Sequence, residues 1–227
     1  MESSQNTNSK PRYRAVIFDL DDTLLKTHEA KFAHHKAAGK KFYNIELTDD
    51  DIKPHWGKPL HELIQILYRG ADTVENMLAS FLTLRDHFPK SLQDGAVEVV
   101  KELLAAGVEV GVVTASPANF AIIDLQHYGF PVEHMLLVQG SEHTSVHKPD
   151  PRVFSPLLER LAEDNISKDH IVYVGDAPMD YLAARDAGLD FIGVATGLVS
   201  RDELISHGAK VVVDGIPDVL KIVLSAK

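Results

Sequence analysis

From Ala96 onward, short β-rich apolar runs alternate with helical stretches, and this rhythm constrains the fold more than any other feature of the chain. Residues 96–106 read as a helix stopped by Gly107, and residues 108–113 as a strand. Residues 117–128 read as a helix, with Ser116 as N-cap and Pro117 at its first position. Strand-like runs follow at 135–138, 171–174, 191–194 and 211–213. Helical patterns lie between them at 151–162 and 177–187, and Ile216–Leu224 reads as a last helix. Strands separated by helices imply right-handed βαβ units, hence an α/β fold with a doubly wound parallel sheet.

The rhythm is broken once. A first strand, Ala15–Phe18, is followed by a long stretch with helical spacing (Leu60, Leu63, Ile64, Leu67, then Met77, Leu78, Phe81) and no strand. We read residues 26–89 as a helical cap domain inserted after the first strand, with 11–25 and 90–227 forming the core domain. Two linkers, near 25–27 and 88–92, are expected to let the cap open and close. Residues 1–10, polar and rich in Ser and Asn, read as a disordered tail.

Composition narrows the partners. A formal net charge of −10 gives no basic surplus for a nucleic acid. Cysteine is absent, which removes disulfides, thiolate metal sites and cysteine nucleophiles. No apolar run has the length of a membrane span, and the first residues are unlike a signal peptide. The expectation is a cytoplasmic monomer or homodimer with no membrane partner.

In an open α/β sheet, ligands bind beyond the carboxyl ends of the strands. Asp19 and Asp21 follow the first apolar run, Thr114 the second, and Asp176 the run at 171–174, with Asp180 one helical turn on. Lys148 lies in the loop before residue 151. Two carboxylates ~5 Å apart at an effective dielectric near 20 repel by about 3 kcal/mol, and Lys148 balances only one charge. A hard divalent cation that takes oxygen ligands, Mg²⁺ where phosphate is present, would balance the rest. No His or Cys at these positions favours zinc. Alternation along an extended chain puts Asp19 and Asp21 on one side. One carboxylate can attack phosphorus while the other protonates the leaving oxygen and later deprotonates water. Thr114 and the backbone N–H groups beside it, at Ala115, can bind phosphoryl oxygens, and Lys148 can offset their charge.

Four segments carry a resemblance. Phe18-Asp19-Leu20-Asp21-Asp22-Thr23-Leu24, Thr114 at a strand end, Lys148 before Pro149, and Gly175-Asp176-Ala177-Pro178-Met179-Asp180 resemble, in order, the four motifs of the haloacid dehalogenase superfamily of phosphohydrolases. The resemblance implies a Rossmann-like core and a Mg²⁺-dependent phosphatase acting on a small phosphorylated metabolite. It implies Asp19 as nucleophile and Asp21 as general acid/base. The metal would be held by the Asp19 carboxylate, the Asp21 backbone carbonyl and Asp176, with Asp180 acting through water or as support. Asp21 argues against a dehalogenase, since members that cleave carbon–halogen bonds lack that second aspartate. The cap resembles that of the phosphoglycolate phosphatase and β-phosphoglucomutase branch, so a phosphomutase is an alternative, as is a phosphonate hydrolase. A non-catalytic module would not explain so many repelling carboxylates.

Residues 55–58 read as a break between cap helices, from which Lys58 or Trp56 would reach the substrate; Arg69 is a weaker candidate. His143 and His147 flank a loop and do not read as metal ligands. His34 and His35, with Lys36, Lys40 and Lys41, read as a solvated face of the cap.

Overall fold

The computed structural model describes residues 11–225; the tail expected at 1–10 lies outside them. In chain order the elements are β1 (Ala15–Phe18), β2 (Leu25–Lys26), α1 (His28–Tyr43), α2 (Asp49–Ile52), α3 (Leu60–Leu67), α4 (Val74–Leu82) and β3 (Ser91–Leu92). Then come α5 (Ala96–Ala105), β4 (Glu109–Val113), α6 (Ala118–His127), β5 (Leu137–Gln139), α7 (Ser155–Glu163) and β6 (Ile171–Gly175). The chain ends with α8 (Pro178–Ala187), β7 (Asp190–Val194), α9 (Arg201–Ser206), β8 (Val212–Val213) and α10 (Ile216–Leu224).

Six strands form one sheet in the order β5-β4-β1-β6-β7-β8, and every pairing in it is parallel. The expected α/β, doubly wound parallel sheet is therefore present. Strand β1 is buried on both faces. Val16 and Phe18 join the core under α5, α6 and α10, while Ala15 and Ile17 join the one under α7 and α8. Such two-sided burial is why its sequence is a continuous apolar run rather than an alternating one. From β1 the chain builds outward through β4 and β5 on one side and through β6, β7 and β8 on the other. The strand order thus reverses at β1, and the crevice at its carboxyl end is where a ligand site belongs.

Helices α1 to α4 lie between β2 and β3 and pack around a separate apolar cluster that includes Phe32, Ile52, Ile64, Tyr68, Met77 and Phe81. The two segments that lead into and out of this helical insertion pair with each other as a short antiparallel ribbon, Leu25 opposite Leu92 and Lys26 opposite Ser91. Among the described residues, no helix is long and apolar enough to cross a membrane.

Two local expectations are corrected. Helix α6 begins at Ala118 after Pro117, and the Ser116 side chain does not cap it; its hydroxyl is drawn away to Asp21, 2.8 Å off. His34 and His35 do not form a solvated face. They are 4% and 0% exposed, sandwiched with Phe81 and Tyr68 in the centre of the insertion.

That burial has a pH consequence. Loss of hydration lowers the His34 pKa from 6.5 to about 4 and that of His35 to about 3. Below pH 6.5 the unfolded chain takes up protons that the folded chain refuses, so stability falls as pH drops from about 6.5 towards 4. For His34 alone the loss between pH 7 and pH 5 is about 2 kcal/mol. The urea midpoint of His34→Phe should therefore fall less over that interval than the wild type's; equal losses would refute the assignment.

Candidate active site

The carboxyl ends of β1, β4 and β6 bring together most of the residues singled out in the sequence. The Asp19 backbone N–H still donates to Val174 O across the ladder at 2.8 Å, so the first residue past β1 is held rigidly at the sheet edge. Lys148 Nζ donates to Asp19 Oδ1 at 2.6 Å and to Asp180 Oδ1 at 2.7 Å. It is also 2.9 Å from the Tyr173 hydroxyl. Asp19, Asp176 and Asp180 are all buried and offer carboxylate oxygens within 4.8 Å of one another.

Two glycines make this packing possible. A Cβ on Gly175 would lie 2.6 Å from the Asp180 carboxylate carbon, and one on Gly197 would lie 1.8 Å from Asp176 Oδ2. Neither position tolerates a side chain while these carboxylates stay where they are.

The three carboxylates differ in what they have left to offer. Asp180 is spent on the protein: Oδ1 meets Lys148 and Tyr173, and Oδ2 accepts from Ala177 N–H at 3.0 Å. Asp176 Oδ1 accepts from Thr23 Oγ1 at 3.0 Å, and Asp19 Oδ1 from Lys148. One oxygen each of Asp19 and Asp176 has no hydrogen-bond donor among the described residues.

Electrostatics point the same way. Burial, aided by Asp180 and only partly offset by Lys148, pushes the Asp19 carboxyl up to about 7. Burial together with Asp180, Asp19 and Asp22 raises Asp176 well above the usual carboxylate range. Lys148 resists the opposite effect: burial works against its charge, but Asp180 and Asp19 outweigh that and raise its pKa. One ammonium thus faces three buried carboxylates, and the two free oxygens are hard donors. The donor set fits a divalent cation such as Mg²⁺.

Asp21 stands apart from this cluster. Its Oδ1 accepts from Lys90 at 2.9 Å, and its Oδ2 accepts from Lys31 and Ser116, both at 2.8 Å. Burial opposes its charge, but Lys31 and Lys90 outweigh it and hold the carboxyl far below its ordinary pKa. Lys31 comes from α1 of the insertion, and Lys90 from the segment that leaves it. Sequence reading did not find this triad, because nothing in the pattern says which way those two lysines turn.

Asp22 was also unassigned. It adopts φ 66° and is fully buried. Its Oδ1 accepts from the backbone N–H groups of Thr27 and His28 at the start of α1, and its Oδ2 accepts from Trp56 Nε1 at 3.1 Å. Its left-handed backbone and its reach to α1 and Trp56 are visible only in the structure.

A cavity of about 80 Å³ lies over the strand ends. Asp19, Asp21, Thr114, Ala115, Lys148 and Asp176 line its floor, and Lys31, His35, Trp56, Lys58 and Leu60 come down from the insertion. Thr114 is buried, and its hydroxyl accepts from Ser116 N–H at 3.1 Å. Lys58 faces the cavity with its ammonium 4.0 Å from Glu62. Arg69 does not line it; it is exposed just beyond the end of α3, at φ 56°. His143 and His147 are likewise elsewhere: His143 accepts from Gly140 N–H, and His147 lies 4.0 Å from Glu62.

A parallel sheet with paired aspartates, a threonine, a lysine and a further aspartate at its carboxyl edge defines a hydrolase class. The chain belongs to the haloacid dehalogenase-like hydrolases, whose family model matches residues 16–194. Among curated proteins it is 28% identical over 211 residues to the N-acetylmuramic acid 6-phosphate phosphatase of Pseudomonas aeruginosa, covering 89% of this chain and 91% of that one. It is 26% identical over 216 residues to the pyrophosphatase PpaX of Bacillus cereus, covering 93% and 96%. Among solved structures, a hydrolase from Pseudomonas syringae superposes with a TM-score of 0.75 at 25% identity, over 92% of this chain and 96% of that one.

Proposed function

We propose that this chain is a Mg²⁺-dependent phosphatase that hydrolyses small phosphate esters through an aspartyl-phosphate on Asp19. The observation that carries the reading is a pair of neighbouring carboxylates in unlike surroundings: Asp19 beside Lys148 in an acidic cluster, and Asp21 held separately by Lys31, Lys90 and Ser116. Two carboxylates in unlike surroundings can take unlike roles. The phosphatase and pyrophosphatase names of the relatives support the same class.

In this reading an Asp19 oxygen attacks phosphorus, the bond from phosphorus to the leaving oxygen breaks, and Asp21, ionised in the free protein, passes to that oxygen a proton brought in by the monoanionic ester. Water then attacks phosphorus, the bond to Asp19 breaks, and Asp21 takes the proton from water. Lys31 and Lys90 favour the carboxylate form that performs this second transfer. Lys148 steadies negative charge on Asp19 and on the phosphoryl group, while Thr114 and the backbone at Ala115 receive phosphoryl oxygens. Asp19, Asp176 and the Asp21 backbone carbonyl would hold the cation, with Asp180 fixing Lys148 and the loop at Ala177. Bound there, Mg²⁺ would neutralise charge on the phosphoryl oxygens. Residues 26–89 act as a cap that excludes bulk water from the cavity.

The test is phosphate release from a panel of small phosphorylated metabolites with and without chelator. Release should depend on Mg²⁺, disappear with excess EDTA and return when Mg²⁺ is restored. No release from any member of the panel with Mg²⁺ present would overturn the reading.

A further inference from the structure

Asp21 lines the cavity, yet neither of its carboxylate oxygens is unclaimed. Oδ2 accepts from Lys31 and Ser116, and Oδ1 accepts from Lys90. To meet a leaving oxygen, this carboxylate has to give up one of those donors. The three are not equally easy to displace. Lys31 and Ser116 share one oxygen and support each other, with Nζ 3.2 Å from Oγ. Lys90 is alone on Oδ1. Of the three donors it alone also touches a second carboxylate among the described residues, with its Nζ 2.8 Å from Asp124 Oδ2.

Asp124 belongs to α6 in the core, and two neighbours on that helix shape the same contact. Tyr128, four residues on, donates its hydroxyl to the Lys90 backbone carbonyl. Lys90 is therefore held at both ends, carbonyl and ammonium, by groups of this one helix and its last turn. Phe120, four residues back, lies beneath the Arg85 guanidinium, whose Cζ is 4.6 Å from the ring centroid. Spacing of this kind puts Phe120, Asp124 and Tyr128 along one side of the helix.

The Arg85 guanidinium also donates to Asp124 Oδ1 at 2.6 Å. Asp124 thus divides its charge between two cations: Lys90, which it shares with Asp21, and Arg85, from the turn after α4 in the insertion. The charges run in alternating order, Asp21, Lys90, Asp124, Arg85. A cation with an anion on either side is held back from each by the other, and the same holds for an anion between two cations.

We propose that Asp124 is a positioning residue that draws Lys90 off Asp21 Oδ1 when the leaving group arrives, leaving Asp21 free to hand that group its proton. The proposal rests on the phosphatase reading above and deepens it. Without the Asp124 charge, Lys90 has one close anion, Asp21, and stays on it. Without Arg85, Asp124 has one close cation, Lys90, and pulls on it harder. The two ends of a single bridge therefore act on the reaction in opposite directions.

The experiment compares benzyl phosphate with 4-nitrophenyl phosphate in wild type, Asp124→Asn and Arg85→Gln. The benzyl alkoxide leaves only with a proton, whereas 4-nitrophenolate leaves without one. The readout is the ratio of kcat/KM for the benzyl ester to that for the nitrophenyl ester. This quantity covers the steps up to the acyl phosphate, in which the leaving oxygen takes its proton. The ratio should fall about tenfold in Asp124→Asn, because the benzyl ester alone suffers, and rise about threefold in Arg85→Gln.

Both variants break the same bridge between insertion and core, so a purely structural bridge predicts equal losses for both esters in both proteins. A ratio unchanged or raised in Asp124→Asn would overturn the proposal. So would an Arg85→Gln ratio at or below that of wild type, and this second variant decides alone if Asp124→Asn does not fold. Wild-type release from both esters with unmoved ratios in the variants would remove Asp124 from its role and leave the phosphatase reading standing. No wild-type release from either ester, as from the wider panel, would sink both.

Discussion

Replacing Asp19 with Asn is expected to lower phosphate release by about 10⁴-fold or more, the scale seen when a covalent nucleophile is removed, while leaving the protein folded. The amide keeps the shape of the carboxylate and can still accept from Lys148 Nζ, now 2.6 Å from Oδ1. It cannot form the acyl phosphate. Stability should hold or rise, because one of three buried, mutually repelling carboxylates has been neutralised. Turnover measured beside a thermal melt checks both halves. Appreciable release by a well-folded Asp19→Asn protein would remove Asp19 from the role of nucleophile.

Lys148→Met should do the reverse: damage the fold as well as the chemistry. The ammonium is 6% exposed and paired with both Asp19 and Asp180. Methionine fills similar space but leaves three carboxylates with no positive partner. Breaking a buried pair from one side costs about 3–5 kcal/mol, so in chelator the variant should melt well below wild type. Added Mg²⁺ should recover part of that loss by binding the folded state alone. Turnover with saturating Mg²⁺ should still fall by about 10²-fold or more for want of the charge beside the transferring group. A Lys148→Met protein as stable as wild type in EDTA would show that the lysine is not what balances the cluster.

The parts of this site that could be read from sequence are those fixed by the sheet. Asp19, Thr114 and Asp176 each directly follow a buried strand, so their place at the carboxyl edge follows from topology once the alternation of strands and helices is recognised. Lys148 and Asp180 needed the order of the motifs as well. What stayed hidden depends on how side chains turn across the gap between insertion and core. Lys31 and Lys90 look like ordinary surface lysines until they are found on Asp21.

Helix α1 misled for another reason. Its buried face is made of Phe32, His34, His35, Ala38 and Gly39, residues that carry little hydropathy signal, so the two histidines beside lysines read as solvated. The two-residue strands β2 and β3 are too short to leave any periodicity at all. Helix α9, only six residues long, escaped notice likewise.

The ribbon formed by β2 and β3 has a mechanical meaning. Had the two crossings been separate loose threads, residues 28–90 could shift sideways or twist over the sheet with several degrees of freedom. Because Leu25 faces Leu92 and Lys26 faces Ser91 in one antiparallel pair, the two crossings are tied together, and any opening of the insertion would have to turn about that single short axis. Substrate would then enter on the side away from that axis, and each closing would bring Lys31 and Trp56 back to the same seats over the cavity.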